Sequence, residues 1–65
     1  MLKVKFIGKS DKNFTNGKVY KIIKFDDDTP YYGQIDVWFI NNYNKIVYIP
    51  YSTLNTFNKN WEVVE

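Results

Sequence analysis

Apolar and polar residues alternate with period two over Leu2-Lys3-Val4-Lys5-Phe6-Ile7. Leu2, Val4 and Phe6 therefore share one face of a first strand, with Lys3, Lys5 and Ile7 on the other. Residues 8 to 17 are mostly polar and read as a long loop with one buried candidate, Phe14. Asn16-Gly17 closes that loop with two residues that tolerate positive φ. A second strand is predicted over Lys18 to Phe25. Its alternation is imperfect: Val19, Ile23 and Phe25 share a face with Lys21, and Tyr20 and Ile22 share the other with Lys24. A strand apolar on both faces is expected to bend and, in a small barrel, to serve two sheets in turn.

Three aspartates and a proline in Asp26-Asp27-Asp28-Thr29-Pro30 interrupt the pattern and predict a loop. The longest β-like run follows, Tyr31 to Ile40, with Ile35, Val37 and Phe39 on one face and Gln34, Asp36, Trp38 and Ile40 on the other. Asn41-Asn42-Tyr43-Asn44 reads as a hairpin loop centred between Asn42 and Tyr43. That register sets Phe39 opposite Ile46, Trp38 opposite Val47, Val37 opposite Tyr48 and Asp36 opposite Ile49. The fourth strand is then Lys45 to Ile49. Pro50 lacks a ladder donor, so Pro50 to Leu54 is predicted to leave the sheet as a short helical turn, and Trp61 to Val64 to form a terminal fifth strand.

Five short strands with no helix-period segment beyond one turn predict an all-β fold, a small five-stranded antiparallel barrel, closed or half-closed. A chain of 65 residues with no cysteine and no histidine has room for one domain, residues 1–65, and must hold it together without disulfides or a thiolate or imidazole metal site. Packing carries the stability, and thirteen aromatic rings supply it in a chain that contains no alanine.

All nine basic residues are lysine, and Asn, Lys, Ile, Tyr and Phe together make up 35 of the 65 residues, the types encoded by A- and T-rich codons. A low-GC genome is expected, and recognition by bidentate guanidinium loses its residue. The net charge of +2 is unevenly divided: residues 1 to 25 carry +6 and residues 26 to 65 carry −4. The opening residues run straight into a strand pattern, without the apolar core of a signal peptide, and no apolar run is long enough to span a bilayer. No membrane association and a cytoplasmic location are expected.

The order of elements, from a long first loop through a tight hairpin to Ile49-Pro50-Tyr51-Ser52-Thr53-Leu54 before the last strand, resembles the Src-homology-3-like barrels. The oligonucleotide-binding fold normally places a real helix between its third and fourth strands, where this chain has a tight hairpin. More narrowly, Lys3-Val4-Lys5-Phe6-Ile7, Gly17-Lys18-Val19-Tyr20-Lys21-Ile22-Ile23 and Tyr48-Ile49-Pro50 resemble small barrel proteins encoded by phages and prophages of low-GC Gram-positive bacteria. The resemblance implies an accessory role in a phage or mobile element, in some cases engagement of a host protein. The peptide-binding members of the fold grip polyproline ligands with an acidic first loop, a Trp at the start of the third strand and a Pro plus Tyr in the helical turn. Here the first loop has Asp11 against Lys9 and Lys12, Trp38 lies mid-strand, and Leu54 falls closest to the tyrosine position, so polyproline recognition is not expected.

Two candidate surfaces follow. The hairpin register groups Trp38, Ile40, Val47 and Ile49 on one face, with Tyr51 beside them, a composition suited to a protein-binding patch for a host partner. The competing expectation is that the first loop folds over this face through Phe14. Lys3, Lys5, Lys21 and Lys24 form a basic face for an acidic partner or, as an alternative function, for nucleic acid with stacking by Tyr31, Tyr32, Tyr43 and Tyr51. The bland reading pairs the first strand with the fifth, setting Glu62 and Glu65 across from Lys3 and Lys5. Asp26-Asp27-Asp28 lacks the spacing, glycine and distal carboxylate of a calcium loop. Ser10 and Ser52 have no histidine to activate them, so neither an enzyme nor a cofactor is expected.

Overall fold

A computed structural model describes residues 2–27 and 34–65. The strands are β1 (Leu2–Phe6), β2 (Val19–Asp26), β3 (Ile35–Ile40), β4 (Ile46–Tyr51) and β5 (Trp61–Val63), with one short helix, α1 (Leu54–Asn58), between β4 and β5. They form a single antiparallel sheet in the order β4-β3-β2-β1-β5. The all-β class, the strand count and the single helix agree with the sequence pattern. Tyr31, Tyr32 and the Asp28 to Pro30 part of the expected loop lie outside the described residues.

One face of the sheet carries the core. Val4 and Phe6 from β1, Tyr20 and Ile22 from β2, and Ile35, Val37 and Phe39 from β3 are all buried there, as period-two alternation requires. Trp61 sits at its centre, stacked on Phe39 with ring centroids 4.3 Å apart and edge-on to Phe14 at 4.9 Å. α1 packs against both edge strands, β4 and β5. Thr53 caps it by accepting a hydrogen bond from the Thr56 amide at 3.1 Å, and its buried Phe57 meets Phe25 and Tyr51 edge-on. Among the described residues no helix is long and apolar enough to cross a membrane.

Three local expectations are corrected, each for a stateable reason. The β3–β4 pairing is one residue away from the predicted register: Ile40 faces Ile46, Phe39 faces Val47, Trp38 faces Tyr48 and Val37 faces Ile49. The Asn44 amide bonds to the Asn41 carbonyl, the Asn41 amide bonds to the Lys45 carbonyl, and Asn44 has φ 59°, so the turn is a three-residue loop ending in a left-handed residue and a bulge. The symmetric turn assumed from sequence lacks that extra residue.

The second correction is in β2, where Ile22 faces Phe39 and Lys24 faces Trp38, leaving Ile23 as an inserted residue. The insertion reverses the alternation. Phe25 therefore joins Tyr20 and Ile22 on the core side, and Lys24 turns to the outer face.

Third, Pro50 does not end β4; it lies within it, opposite Asp36, and the helix starts four residues later, at Leu54. Counting from the bonded pair Asn41 and Lys45, position 50 falls at a non-hydrogen-bonded site of the ladder. A donor there would point away from β3 into the open edge, where proline costs nothing.

Candidate functional site

The outer face of the sheet results directly from these corrections. Alternation along β3 turns Asp36, Trp38 and Ile40 outward, and the one-residue shift brings Ile46, Tyr48 and Pro50 of β4 beside them. Trp38 and Tyr48 are direct cross-strand neighbours with ring centroids 4.9 Å apart and planes inclined by 36°. Lys24, on the other side of Trp38, holds its Nζ 4.9 Å from the centre of the indole, a cation–π contact. The Tyr48 hydroxyl donates to Asp36 Oδ1 at 2.7 Å, and Gln34 Nε2 donates to the same oxygen at 3.1 Å. Bonding to the Asp36 carboxylate, which favours the protonated phenol, raises the Tyr48 pKa above its ordinary value of 10.0. Ile46 is 63% exposed and Tyr48 48%, while Trp38 and Ile40 are half-buried.

The face is uncovered by the first loop. Phe14 enters the core from the opposite side and contacts Phe6, Tyr20, Phe39 and Trp61. The loop is fixed at the β3–β4 turn by polar bonds: the Asn42 amide donates to the Asn13 carbonyl at 2.8 Å, Tyr20 Oη donates to Asn42 Oδ1 at 2.5 Å, and Asn41 Nδ2 donates to Asn13 Oδ1 at 2.9 Å. These bonds hold the loop end-on to the sheet and leave Trp38 and Tyr48 free of it.

The sequence-predicted protein-binding set is thereby divided. Trp38 and Ile40 lie on the outer face as expected. Val47 and Ile49 turn to the inner face and pack, partly buried, against the core. Tyr51 is buried, and its Oη accepts a hydrogen bond from Trp61 Nε1 at 2.8 Å. In their place the structure supplies Tyr48 and Ile46, which the symmetric turn had put on the wrong side. The signal that finds them is Asn44: an asparagine at the last position of an Asn-rich turn suits a left-handed residue followed by a bulge.

The four lysines of the predicted basic face all belong to the outer side of β1 and β2, but their charges differ in availability. Lys3 pairs with Glu65 at 3.4 Å, and Lys5 stands directly opposite Glu62, as the β1–β5 pairing predicts. Lys21 faces Lys3 across β1 and β2. Among the described residues no group of three or more His, Cys, Asp or Glu gathers in metal-binding geometry. The Ser10 hydroxyl accepts from the Asn16 amide, and that of Ser52 bonds to Thr56 at the start of the helix.

Comparison of the chain with protein-family models, with curated proteins and with solved structures finds no match.

Proposed function

We propose that this protein is a small Src-homology-3-like barrel, encoded by a phage or mobile element of a low-GC bacterium, that works as a protein-interaction module by binding and inhibiting a host protein. The observation that carries the reading is the outer sheet face, where Trp38, Ile40, Ile46 and Tyr48 form one apolar and aromatic surface on rigid strands. Aromatic residues on a preorganised surface are the kind that dominate binding energy in protein interfaces. The meander order of the sheet, with a short helix before the last strand, supports the barrel assignment. Codon-biased composition and the segments quoted above support the mobile-element origin.

Trp38→Ala tests the site. The tagged wild-type chain should retain a defined set of proteins from a low-GC Gram-positive lysate, and the variant should lose them. Its unfolding free energy should fall by only about 1 kcal/mol, the order of a cross-strand aromatic pair. Retention of the same proteins by the variant, or its global unfolding, would overturn the assignment.

A further inference from the structure

Apolar and cationic residues are sorted by strand across this face. β3 and β4 contribute Trp38, Ile40, Ile46 and Tyr48, and β2 contributes Lys21 and Lys24 along one border. Lys24 heads the cross-strand row Lys24, Trp38, Tyr48. Lys21 lies beside Ile40, with which it lines a shallow concavity, and directly across from Lys3 on its other side. Among the described residues no carboxylate lies within ion-pair distance of Lys21 or Lys24, whereas Lys3 has Glu65. Lys21 thus stands between another lysine and an isoleucine, and Lys24 rests on an indole. Both are cations at the margin of an apolar surface, where a partner's carboxylate is attracted more strongly than in open water.

Given that the outer face is a protein-binding surface, on which this step rests, we infer from charge complementarity that its occupant is an acidic protein segment. Its large apolar side chains seat on Trp38, Tyr48, Ile40 and Ile46, and its Asp or Glu residues reach Lys21 and Lys24. Nucleic acid fits the same face less well. Stacking of bases needs an open ring face, and Trp38 is flanked by the Lys24 ammonium and the inclined ring of Tyr48. Lys3 pairs with Glu65 and Lys5 stands opposite Glu62, so half of the four-lysine face is already matched, and the two remaining lysines are few for the series of phosphate contacts that nucleic-acid affinity draws on.

Panning a random-peptide display library against the full chain tests the inference, with recovered peptides synthesised and their affinities measured by fluorescence anisotropy. Recovered sequences should combine Trp, Phe, Leu or Ile anchors with Asp or Glu, and should lose binding to Trp38→Ala. The double variant Lys21→Glu, Lys24→Glu should bind them about tenfold more weakly and should itself select sequences with Lys or Arg in place of the acids. Peptides that need Trp38 but show no acid enrichment and ignore the double variant overturn the acidic partner while leaving the protein-binding face in place. Peptides that bind Trp38→Ala as well as wild type overturn the face itself. Salt-steep binding of single-stranded oligothymidylate that is lost in Trp38→Ala, concentration-dependent dimerisation lost in the same variant, or a selection that enriches nothing would each overturn the inference too.

Discussion

Trp61 and Tyr48 each bring a polar hydrogen to an aromatic cluster, and their surroundings make the two cases unequal. The indole of Trp61 is 2% exposed, so its Nε1–H has no water to turn to and depends on Tyr51 Oη at 2.8 Å. Tyr51→Phe keeps the ring and removes the acceptor, leaving a buried donor unpaired. It should destabilise the protein by about 1–3 kcal/mol, and a thermal melt should show a midpoint lower by about 4–8 °C for each kcal/mol. Tyr48→Phe should change the midpoint little, because its partner Asp36 keeps both solvent and Gln34. Both phenols titrate above 10.0, Tyr48 because it bonds to the Asp36 carboxylate and Tyr51 because burial disfavours the phenolate. A raised value in the folded state means that these groups stabilise the fold fully below pH 10 and cease to do so as pH rises through their folded values. Ultraviolet titration of phenolate absorbance should lose part of its late-ionising amplitude in each Phe variant, with loss of stability beginning on the alkaline side of pH 10.

The β3–β4 hairpin shows where reading a strand from sequence reaches its limit. Faces were legible wherever alternation was clean: β1 buries Val4 and Phe6, and β3 buries Ile35, Val37 and Phe39, as their spacing requires. Which residues meet across the hairpin was not, because pairing depends on one backbone dihedral that hydrophobic pattern does not encode. Asn44 at φ 59° adds one residue to the β4 side, and a one-residue slip moves Tyr48 and Ile46 to the outside and Val47 and Ile49 to the inside. Ile23 does the same in β2, which is why Phe25 and Lys24 exchange the sides that simple alternation assigns. Half of the candidate site was therefore readable, Trp38 and Ile40, and half was hidden in turn geometry. Asn44→Gly should preserve or slightly raise stability, since glycine adopts the left-handed region without penalty. Asn44→Ala should cost about 1 kcal/mol, because alanine lacks the local hydrogen bonding that lets asparagine occupy that region. A cross-strand nuclear Overhauser effect between Trp38 and Tyr48 would check that the register survives in both.

At the scale of the whole molecule, stability and the proposed binding surface are assigned to opposite sides of one sheet. The first loop decides this. From sequence, Phe14 was recognisable as a buried residue, but its destination was not, since a ten-residue loop can reach either face. In the structure it closes the core side, against Phe6, Tyr20, Phe39 and Trp61, while Asn13 and Thr15 tie the loop to Asn41, Asn42 and Tyr20. Deleting a buried Phe side chain costs about 3–5 kcal/mol, against a total of roughly 3–10 kcal/mol for a chain of this length. Phe14→Ala should therefore leave a large unfolded fraction at room temperature by circular dichroism. Phe14→Leu fills most of the space, so it should stay folded with a lower midpoint and faster hydrogen exchange at the Thr15 and Asn42 amides. Binding through the outer face should be unaffected in Phe14→Leu once folded protein is counted. Trp38→Ala should behave in the opposite way, staying folded with a midpoint lower by only about 4–8 °C and losing binding. A sheet that packs on one side and recognises on the other predicts that dissociation, and a Phe14→Leu protein that stays folded but loses the partner would show that the first loop belongs to the binding surface.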